Sequence, residues 1–313
     1  MAFKELRGLE KELYLKTKIE ELTRLYRRTQ KDLSRHLREI DITVFQRYRT
    51  EAILKQVNEG IKVLNGGCYK WAKKTIPYGY ERGIDMAAER LKALNVTRFV
   101  KYDAKIHSSA ASVLIDDVTI DLITANQSMK NGVHRYIRMT QQRILEDKEI
   151  SRLIAEGVIK GEARRTVSDE MLSQLRRQMG NEQFINIKGR NYRPDKYSEL
   201  VARTRAREAT AQGSINTALH YGVDLCQIDV HAGACGYCQQ FMGRIYSISG
   251  SHTDFPMLLE RPPFHPNCEC NILPITRESI EERGYYDSMV KLSNSPMTKI
   301  DSFSRFEELV GAL

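Results

Sequence analysis

The first 40 residues carry an apolar stripe at helical spacing. Apolar side chains recur every three or four positions with charged residues between them, which predicts one long amphipathic helix over residues 3–40. The stripe consists of Leu6, Leu9, Leu13, Ile19, Leu22, Tyr26, Leu33, Leu37 and Ile40. Because a lone helix cannot cover its own apolar face, we expect this face to pack on the following helices or on another subunit.

The helical periodicity continues as far as residue 179. It predicts further helices over 43–64, 80–94, 108–157 and 168–179. Glycine and proline are the strongest helix breakers, so we expect the second helix to end at Asn65-Gly66-Gly67. For the same reason we expect a break at Pro77 and an interruption near Asn131-Gly132.

Beyond residue 182 the apolar spacing becomes alternating. Short strands are predicted at 184–187, 225–231 and 243–248, with a turn at 189–192 and helices at 195–221 and 279–290. Asp195 is expected to cap the first of these helices, Gly222 to close it, and residues 256–266 to form a proline-rich loop. The predicted fold class is therefore α+β, with a long helical N-terminal half followed by a small α+β domain.

The length of 313 residues favours two folded units. We divide the chain into a basic helical domain over 1–180, a small domain over 181–276, and a C-terminal helix and tail over 277–313. The mean hydropathy of −0.47 is that of an ordinary water-soluble chain. No apolar run approaches the roughly 18 residues of a spanning helix, and the N-terminus lacks a secretory signal. We therefore expect the protein to be synthesised in a reducing cytoplasm and not to associate with a membrane.

The positive charge is concentrated in the N-terminal part of the chain. Residues 1–100 hold 22 Lys or Arg against 13 Asp or Glu, whereas residues 101–313 hold 27 of each sign. A basic ridge beside the apolar stripe of the first helix consists of Arg24, Arg27, Arg28, Lys31, Arg35 and Arg38. Such a ridge favours a polyanionic partner, with nucleic acid ahead of anionic lipid. A plain solvated helix surface is the alternative.

Four of the six cysteines lie close together in the small domain. Cys235 and Cys238 form a Cys-x-x-Cys pair, and His265, Cys268 and Cys270 follow about thirty residues later. Two short-spaced ligand pairs joined by a loop are typical of a structural Zn²⁺ site. His265 and Cys268 converge easily at a spacing of three. We therefore predict Cys235, Cys238, His265 and Cys268 as ligands, with Cys270 as the substitute for His265.

Other roles for these residues are open at this point. His231 and His252 are weaker ligand candidates, and the four thiols could instead form disulfides in an oxidising particle. A thioredoxin-type redox pair needs a topology that the sequence does not indicate. A catalytic zinc deaminase needs a His-x-Glu and a Pro-Cys-x-x-Cys, and neither is present. Structural rather than catalytic zinc is the prediction.

The helix before the cysteines carries a polar and a small apolar line. Glu208, Gln212 and Asn216 recur at four-residue steps, while the apolar line of Ala211, Ile215 and Leu219 would allow close packing on the sheet. A buried polar line would need partners in a neighbouring strand or loop, which Arg203 and Arg207 could supply. Ordinary surface charge is the alternative.

Together these elements resemble the C-terminal domain of tailed-phage minor capsid proteins, the head-morphogenesis proteins typified by the F protein of phage Mu. The resemblance covers about residues 183–276. It is carried by the Arg203-Thr204 helix with Glu208 and Asn216, by Gly222, Cys235-x-x-Cys238 and Gly243, and by the run from Pro262 to Cys270 that includes His265-Pro-Asn-Cys268. The family commonly has Arg-Thr-Glu where this chain has Arg203-Thr204-Arg205, with the acid displaced to Glu208.

The resemblance implies a low-copy structural protein inside the virion, near the portal, that contacts DNA or leaves with it. The implied partners are the portal protein, the major capsid or scaffolding protein, and double-stranded DNA. Assembly would take place in the host cytoplasm. Some relatives continue into enzyme segments, but only 37 residues follow Thr276 here, so we expect no enzymatic activity.

Two other functions compete with the structural role. A metal-dependent nuclease could use His265, with Asn267 beside it, to activate water. A host transcription-associated zinc module would need a recognition helix rich in Arg or Asn near the metal, which the flanking residues do not provide.

Overall fold

Three long helices make up the described part of the N-terminal half. The computed structural model describes residues 8–38, 47–96, 104–146, 185–187 and 189–297. The helices are α1 (Gly8–Arg38), α2 (Arg47–Ala93) and α3 (Ala104–Glu146). The predicted helix at 168–179 and the predicted boundary near residue 180 lie outside the described residues, so the division into three segments stays a prediction. Within the described residues, no helix combines the length and apolarity needed to cross a membrane.

Helix α2 is continuous where the sequence predicted two interruptions. It passes through Asn65-Gly66-Gly67 and keeps Pro77 in its interior, so both predicted breaks are wrong. Next to the proline, Ile76 is fully buried and Tyr80 nearly so. Burial of such side chains contributes about 1.5–3 kcal/mol each, which offsets the roughly 3 kcal/mol cost of an interior proline. Tertiary packing therefore outweighs the local helix-breaking signal.

Helix α3 is also continuous, across the predicted interruption at Asn131-Gly132. Not every apolar residue at helical spacing is covered, because Val113, Ile120 and Ile123 are exposed. The buried side chains are Leu114, Val118, Leu122, Ala125, Met129, Val133 and Ile137. On α1 the predicted stripe is buried at Ile19, Leu22, Tyr26 and Leu33, whereas Leu13 is 65 % exposed and Leu15 is buried. Several apolar lines share these helices, and the sequence alone did not single out the covered one.

The described residues form two compact units. One comprises residues up to Lys18, Ala72–Val118 and Leu200 onward, and the other comprises Ile19–Trp71 and Thr119–Glu199. In the second unit Cys68 contacts both Tyr26 Oη and Asn126 Nδ2, each at 3.6 Å. A small hairpin of β1 (Ile185–Ile187) and β2 (Arg190–Tyr192) also belongs to this unit. Residues 190–192, predicted as a turn, are therefore a strand.

The C-terminal part contains a three-stranded antiparallel sheet. After α4 (Pro194–His220) come β3 (Leu225–Ile228), β4 (Ile245–Ser247) and β5 (Ile272–Pro274), in the order β4-β3-β5. Strand β5 was not predicted, and β3 is shorter than expected. Two helices follow, α5 (Arg277–Glu282) and α6 (Tyr286–Asn294), where one was predicted. The structure therefore has a long helical half followed by a small sheet-containing region, which confirms the predicted α+β fold class.

Helix α4 packs on this sheet through small side chains. Ala211 and Ile215 belong to one buried cluster with Cys226, Ile228 and Ile272, as the sequence predicted, whereas Leu219 is 43 % exposed. The helix begins at Pro194, so Asp195 lies inside the first turn rather than at the cap. At the other end the Val223 amide donates to the Ala218 carbonyl beside Gly222, which has a φ of 72°. Gly222 therefore closes the helix, as predicted.

Candidate metal centre

The two cysteine segments meet at one end of the sheet. The chain leaves β3 at Ile228 and reaches Cys235 and a short 3-10 helix, Cys238–Gln240. The second segment, His265 to Cys270, leads directly into β5 at Ile272. Since β3 and β5 are hydrogen-bonded neighbours, the two segments meet at the same end of the sheet. Strand β5, which the sequence analysis missed, thus determines the position of the second segment.

The predicted ligands fall into two clusters that share Cys238, namely Cys235, Cys238 and His265, and Cys238, Cys268 and Cys270. His265 Nε2 is 3.1 Å from Cys235 Sγ and 3.0 Å from Cys238 Sγ, and Cys238 Sγ is 3.7 Å from Cys268 Sγ. In a tetrahedral zinc site with Zn–S of 2.3 Å and Zn–N of 2.0–2.1 Å, two sulfurs lie about 3.8 Å apart and sulfur lies about 3.5 Å from nitrogen. The 3.7 Å between sulfurs is far longer than a disulfide bond. The sulfur–sulfur distance matches these values, whereas the two nitrogen–sulfur distances are shorter. Each cluster is compatible with a metal ion, and the assignment of Cys235, Cys238, His265 and Cys268 to a single zinc stays a prediction.

The turn that carries His265 and Cys268 is defined by its backbone. The Cys268 amide donates to the His265 carbonyl at 3.0 Å, which closes a tight turn between the two ligands. Asn267 within the turn has a φ of 64°, a left-handed conformation that asparagine tolerates better than most residues. The turn brings the two residues close in the backbone, while their side chains belong to different clusters that share Cys238.

The orientation of the His265 ring favours a ligand over a base. Its Nδ1 lies 2.8 Å from the Pro266 carbonyl, to which it can donate, while Nε2 faces the two sulfurs. A hydrogen bond of this kind fixes the tautomer and orients Nε2 toward a metal. Because both ring nitrogens have partners, this arrangement does not favour the nuclease alternative.

Three of the thiols belong to the apolar core. Cys238, Cys268 and Cys270 are 2–3 % exposed, whereas Cys235 is exposed. Phe241 and Phe264 stack beside them, with ring centroids 4.1 Å apart. An ion held here would be shielded from solvent on most sides, as in a structural zinc site.

The hydrogen bonds and burial shift the pKa values of these groups in different directions. The hydrogen bond from Cys270 lowers the pKa of Cys268 to about 5. Burial raises the pKa of Cys238 to about 12, and the hydrogen bond to the Pro266 carbonyl raises the pKa of His265. The lowered pKa of Cys268 favours the thiolate that binds metal, whereas the raised pKa of Cys238 favours the neutral thiol. Metal binding would therefore release protons and weaken in acid.

The remaining candidate ligands divide into two groups. Cys270 Sγ lies 3.4 Å from His231 Nε2, and Asp229 completes a cluster with them. His252 instead packs on Phe255, outside the ligand clusters of the described residues. Asp229 was not among the predicted ligands. The signal was its spacing from His231, because alternate residues at a strand end share one face.

The polar line on α4 is partly engaged with the metal segment. Arg207 donates to the Glu269 carbonyl at 3.3 Å and to Asn271 Oδ1 at 3.5 Å. Gln212 donates to Asn216 at 2.8 Å, and Asn216 donates to Tyr80 Oη at 2.7 Å. Glu208 instead pairs with Arg205 at 2.6 Å. The line has a partner from the neighbouring loop, because Arg261 donates to the Gln212 side-chain oxygen. Arg207, which was expected to supply such bonds, binds the metal segment instead, and Arg203 is exposed.

The basic ridge lies on one exposed side of α1. Five of its six members are exposed, and the side chain of Arg38 lies outside the described residues. Arg27 donates to the buried Asp195 at 3.2 Å, and Arg35 pairs with Asp32. The exposed members are Arg24, Arg27, Arg28, Lys31 and Arg35, at spacings that place them on one helical face.

The family comparison covers both the helices and the first cysteine pair. The model of the family described as phage minor capsid protein 2 matches residues 11–256, which include α1 to α4 and Cys235 and Cys238. No curated protein and no solved structure matches the chain significantly. The match extends well before the 183–276 range of the resemblance, and the narrower likeness to the Mu F protein stays a prediction. The chain belongs to the phage minor capsid protein 2 family and has a structural role in the phage head.

Proposed function

We propose that this chain is a low-copy structural component of the virion interior, positioned near the portal of a tailed phage. The observation that carries the proposal is the family match over residues 11–256. It is a match to minor capsid proteins, and it includes the basic helix α1. The chain would assemble in the host cytoplasm and contact the portal, major capsid or scaffolding protein.

The small domain is proposed to be a rigid docking element fastened by one zinc ion. Cys235, Cys238, His265 and Cys268 would hold the ion, and the contacts of His265 with Cys235 and Cys238, and of Cys238 with Cys268, support that assignment. The segment between them is rich in proline and polar residues and has little regular structure. Because structural zinc contributes folding free energy directly, the ion would stabilise this segment and the surface that it forms.

The exposed basic face of α1 is proposed to contact the packaged DNA. Arg24, Arg28 and Lys31 are exposed at spacings that place them on one side of the helix. Such a row can follow a line of phosphates without reading sequence, which suits a protein that meets the genome inside a capsid. Ejection with the DNA would follow if this contact survives opening of the portal.

The location is tested on purified particles. Quantitative mass spectrometry of intact virions should find the chain at a copy number well below that of the major capsid protein. Protease treatment should digest it only after the heads are opened, and cross-linking should join it to the portal. Absence from the particle, digestion in intact heads or major-capsid stoichiometry would contradict the proposal.

A further inference from the structure

We propose that a second zinc ion binds beside the first, held by Asp229, His231 and Cys270. This inference rests on the proposed zinc role of the neighbouring cluster. The second site would give a ligand function to three residues that are not ligands of the first, four-coordinate ion.

The geometry of the three donors fits a shared ion. His231 Nε2 lies 3.4 Å from Cys270 Sγ, close to the roughly 3.5 Å that separates nitrogen and sulfur ligands of one zinc. One donor atom of each of the three residues lies within 4.8 Å of the others. Imidazole, thiolate and carboxylate are all zinc ligands. Three protein ligands leave one coordination position, which water would fill.

The number of donors exceeds what one ion can use. Seven candidate side chains meet at this end of the sheet, in three overlapping groups: Cys235, Cys238 and His265; Cys238, Cys268 and Cys270; and Asp229, His231 and Cys270. A structural zinc takes four ligands. With Cys235, Cys238, His265 and Cys268 assigned to the first ion, the third group is complete without sharing a ligand.

Hydrogen bonds from Asn271 position Asp229 just beyond the end of β3. The Asp229 amide donates to the Asn271 carbonyl at 3.1 Å, so the ladder between β3 and β5 extends to these residues. Asn271 returns two hydrogen bonds to the Asp229 carboxylate, from its backbone amide and its side-chain amide, each 2.7 Å long. These bonds orient the carboxylate and leave lone pairs on both oxygens. A preorganised carboxylate of this kind is typical of metal ligands.

The test is the zinc content of the full chain. Protein equilibrated with excess Zn²⁺ and then freed of unbound ion should contain two zinc ions per chain by elemental analysis. His231→Ala should contain one. His252→Ala, which changes a histidine outside the ligand clusters, should still contain two. Circular dichroism and thermal melting of each variant show whether it has folded. The number of zinc ions bound by the wild-type chain tests the inference even if a variant does not fold.

The outcomes distinguish this inference from the proposed function. One ion in the wild type, kept in His231→Ala and lost in Cys235→Ser, would overturn the second site and leave the first. One ion lost in His231→Ala but kept in Cys235→Ser would support the second site and contradict the first. No bound zinc in the wild type would overturn both.

Discussion

The guanidinium of Arg207 on α4 donates a hydrogen bond to the backbone carbonyl of Glu269, 3.3 Å away, between two cysteines of the metal centre. The same guanidinium lies 3.8 Å from the Glu12 carboxylate on α1, and Glu12 also pairs with Arg82 at 3.2 Å. A half-buried charge network thus joins α1, α2 and α4 to the loop that holds Cys268 and Cys270. The loop is positioned by the helices as well as by the sheet.

Removing the Arg207 side chain should weaken metal binding without removing a ligand. In Arg207→Ala the 269 carbonyl loses its charged donor, so the turn that carries Cys268 is less well fixed. Residues that orient metal ligands typically contribute 10- to 100-fold in affinity, and we expect a loss of about 10-fold. Zinc competition with a chromophoric chelator measures it.

Arg203→Ala is the matched control for Arg207→Ala. It removes an exposed arginine from the preceding turn of the same helix. Its zinc affinity should stay within about twofold of the wild type, since surface substitutions usually change stability by less than about 0.5 kcal/mol. Equal affinities of the two variants would show that the Arg207 contact does not position the loop.

Helices α2 and α4 approach each other closely through glycine. A Cβ on Gly83 would clash with the Thr210 carbonyl oxygen and lie 2.8 Å from the Ser214 amide nitrogen. Gly83→Ala would therefore force the backbones of α2 and α4 apart. We expect a loss of about 1–3 kcal/mol in the free energy of unfolding, the usual range for overpacking. Chemical denaturation followed by circular dichroism measures it.

Gly66→Ala in the same helix is the control for the glycine contact. A Cβ at Gly66 would have no heavy atom within 4 Å, so the substitution should stabilise α2 by about 0.5–1 kcal/mol through helix propensity alone. Opposite signs for the two alanine variants are therefore expected. Two gains of similar size would contradict the close approach at Gly83.

The same glycines explain where the fold could not be predicted from the sequence. A glycine inside a helical pattern indicates a break by its local propensity, and only the packing partner reveals that it allows a close approach. Gly83 is covered by the backbone of α4, from which it is separated by more than a hundred residues. The helical half and the α+β class followed from periodicity, but helix continuity and the buried face of α3 depended on tertiary contacts.

Asp224 should contribute stability that disappears in acid. Partial burial alone would raise its pKa, but hydrogen bonds from Ser247 and Ser249 outweigh burial, and the net pKa is lowered. The carboxylate therefore stabilises the fold above the unfolded pKa of about 3.9, and this contribution is lost as the pH falls through the lower folded value.

The Asp224→Asn variant measures that contribution. Near neutral pH it should lower the free energy of unfolding by about 1 kcal/mol, because a charged acceptor of two hydrogen bonds is replaced. The difference from the wild type should shrink steadily below about pH 4, where the wild-type carboxyl also becomes neutral. Urea unfolding across that range is the measurement, and a difference that does not depend on pH would rule out the carboxylate as its cause.

DNA binding, if it uses the basic face of α1, should depend steeply on salt. Each phosphate contact contributes about −0.9 to the slope of log affinity against log salt. Replacing Arg24, Arg28 and Lys31 with Glu should therefore make the slope shallower by about 3. Fluorescence anisotropy with a short duplex of arbitrary sequence, at several salt concentrations, gives the slope.

The control for DNA binding applies the same charge change elsewhere. Lys55, Lys62 and Lys70 are exposed on α2, and their replacement with Glu gives an equal change in net charge. If both triple variants reduce the slope equally, the effect is one of total charge, and the α1 face is not the contact.

The candidate metal centre was more predictable than the fold around it. The local spacing of Cys235-x-x-Cys238 and of His265 with Cys268 predicted a four-ligand set, and the structure places its members in two clusters that share Cys238. Asp229 and the contact of Arg207 with the loop depend on the pairing of β3 with β5. That pairing joins residues far apart in the sequence, which local patterns do not reveal.

Zinc-edge X-ray absorption of the His231→Ala chain is the most direct test of the metal centre. This variant lacks one ligand of the second proposed site, so the spectrum should report one ion with about three sulfurs near 2.3 Å and one nitrogen near 2.0 Å. Cys226→Ser, which changes a buried cysteine in β3 that is outside the ligand clusters, should give the same spectrum. A shell of oxygen and nitrogen without sulfur, or a chain whose thiols are oxidised and hold no zinc, would contradict the account.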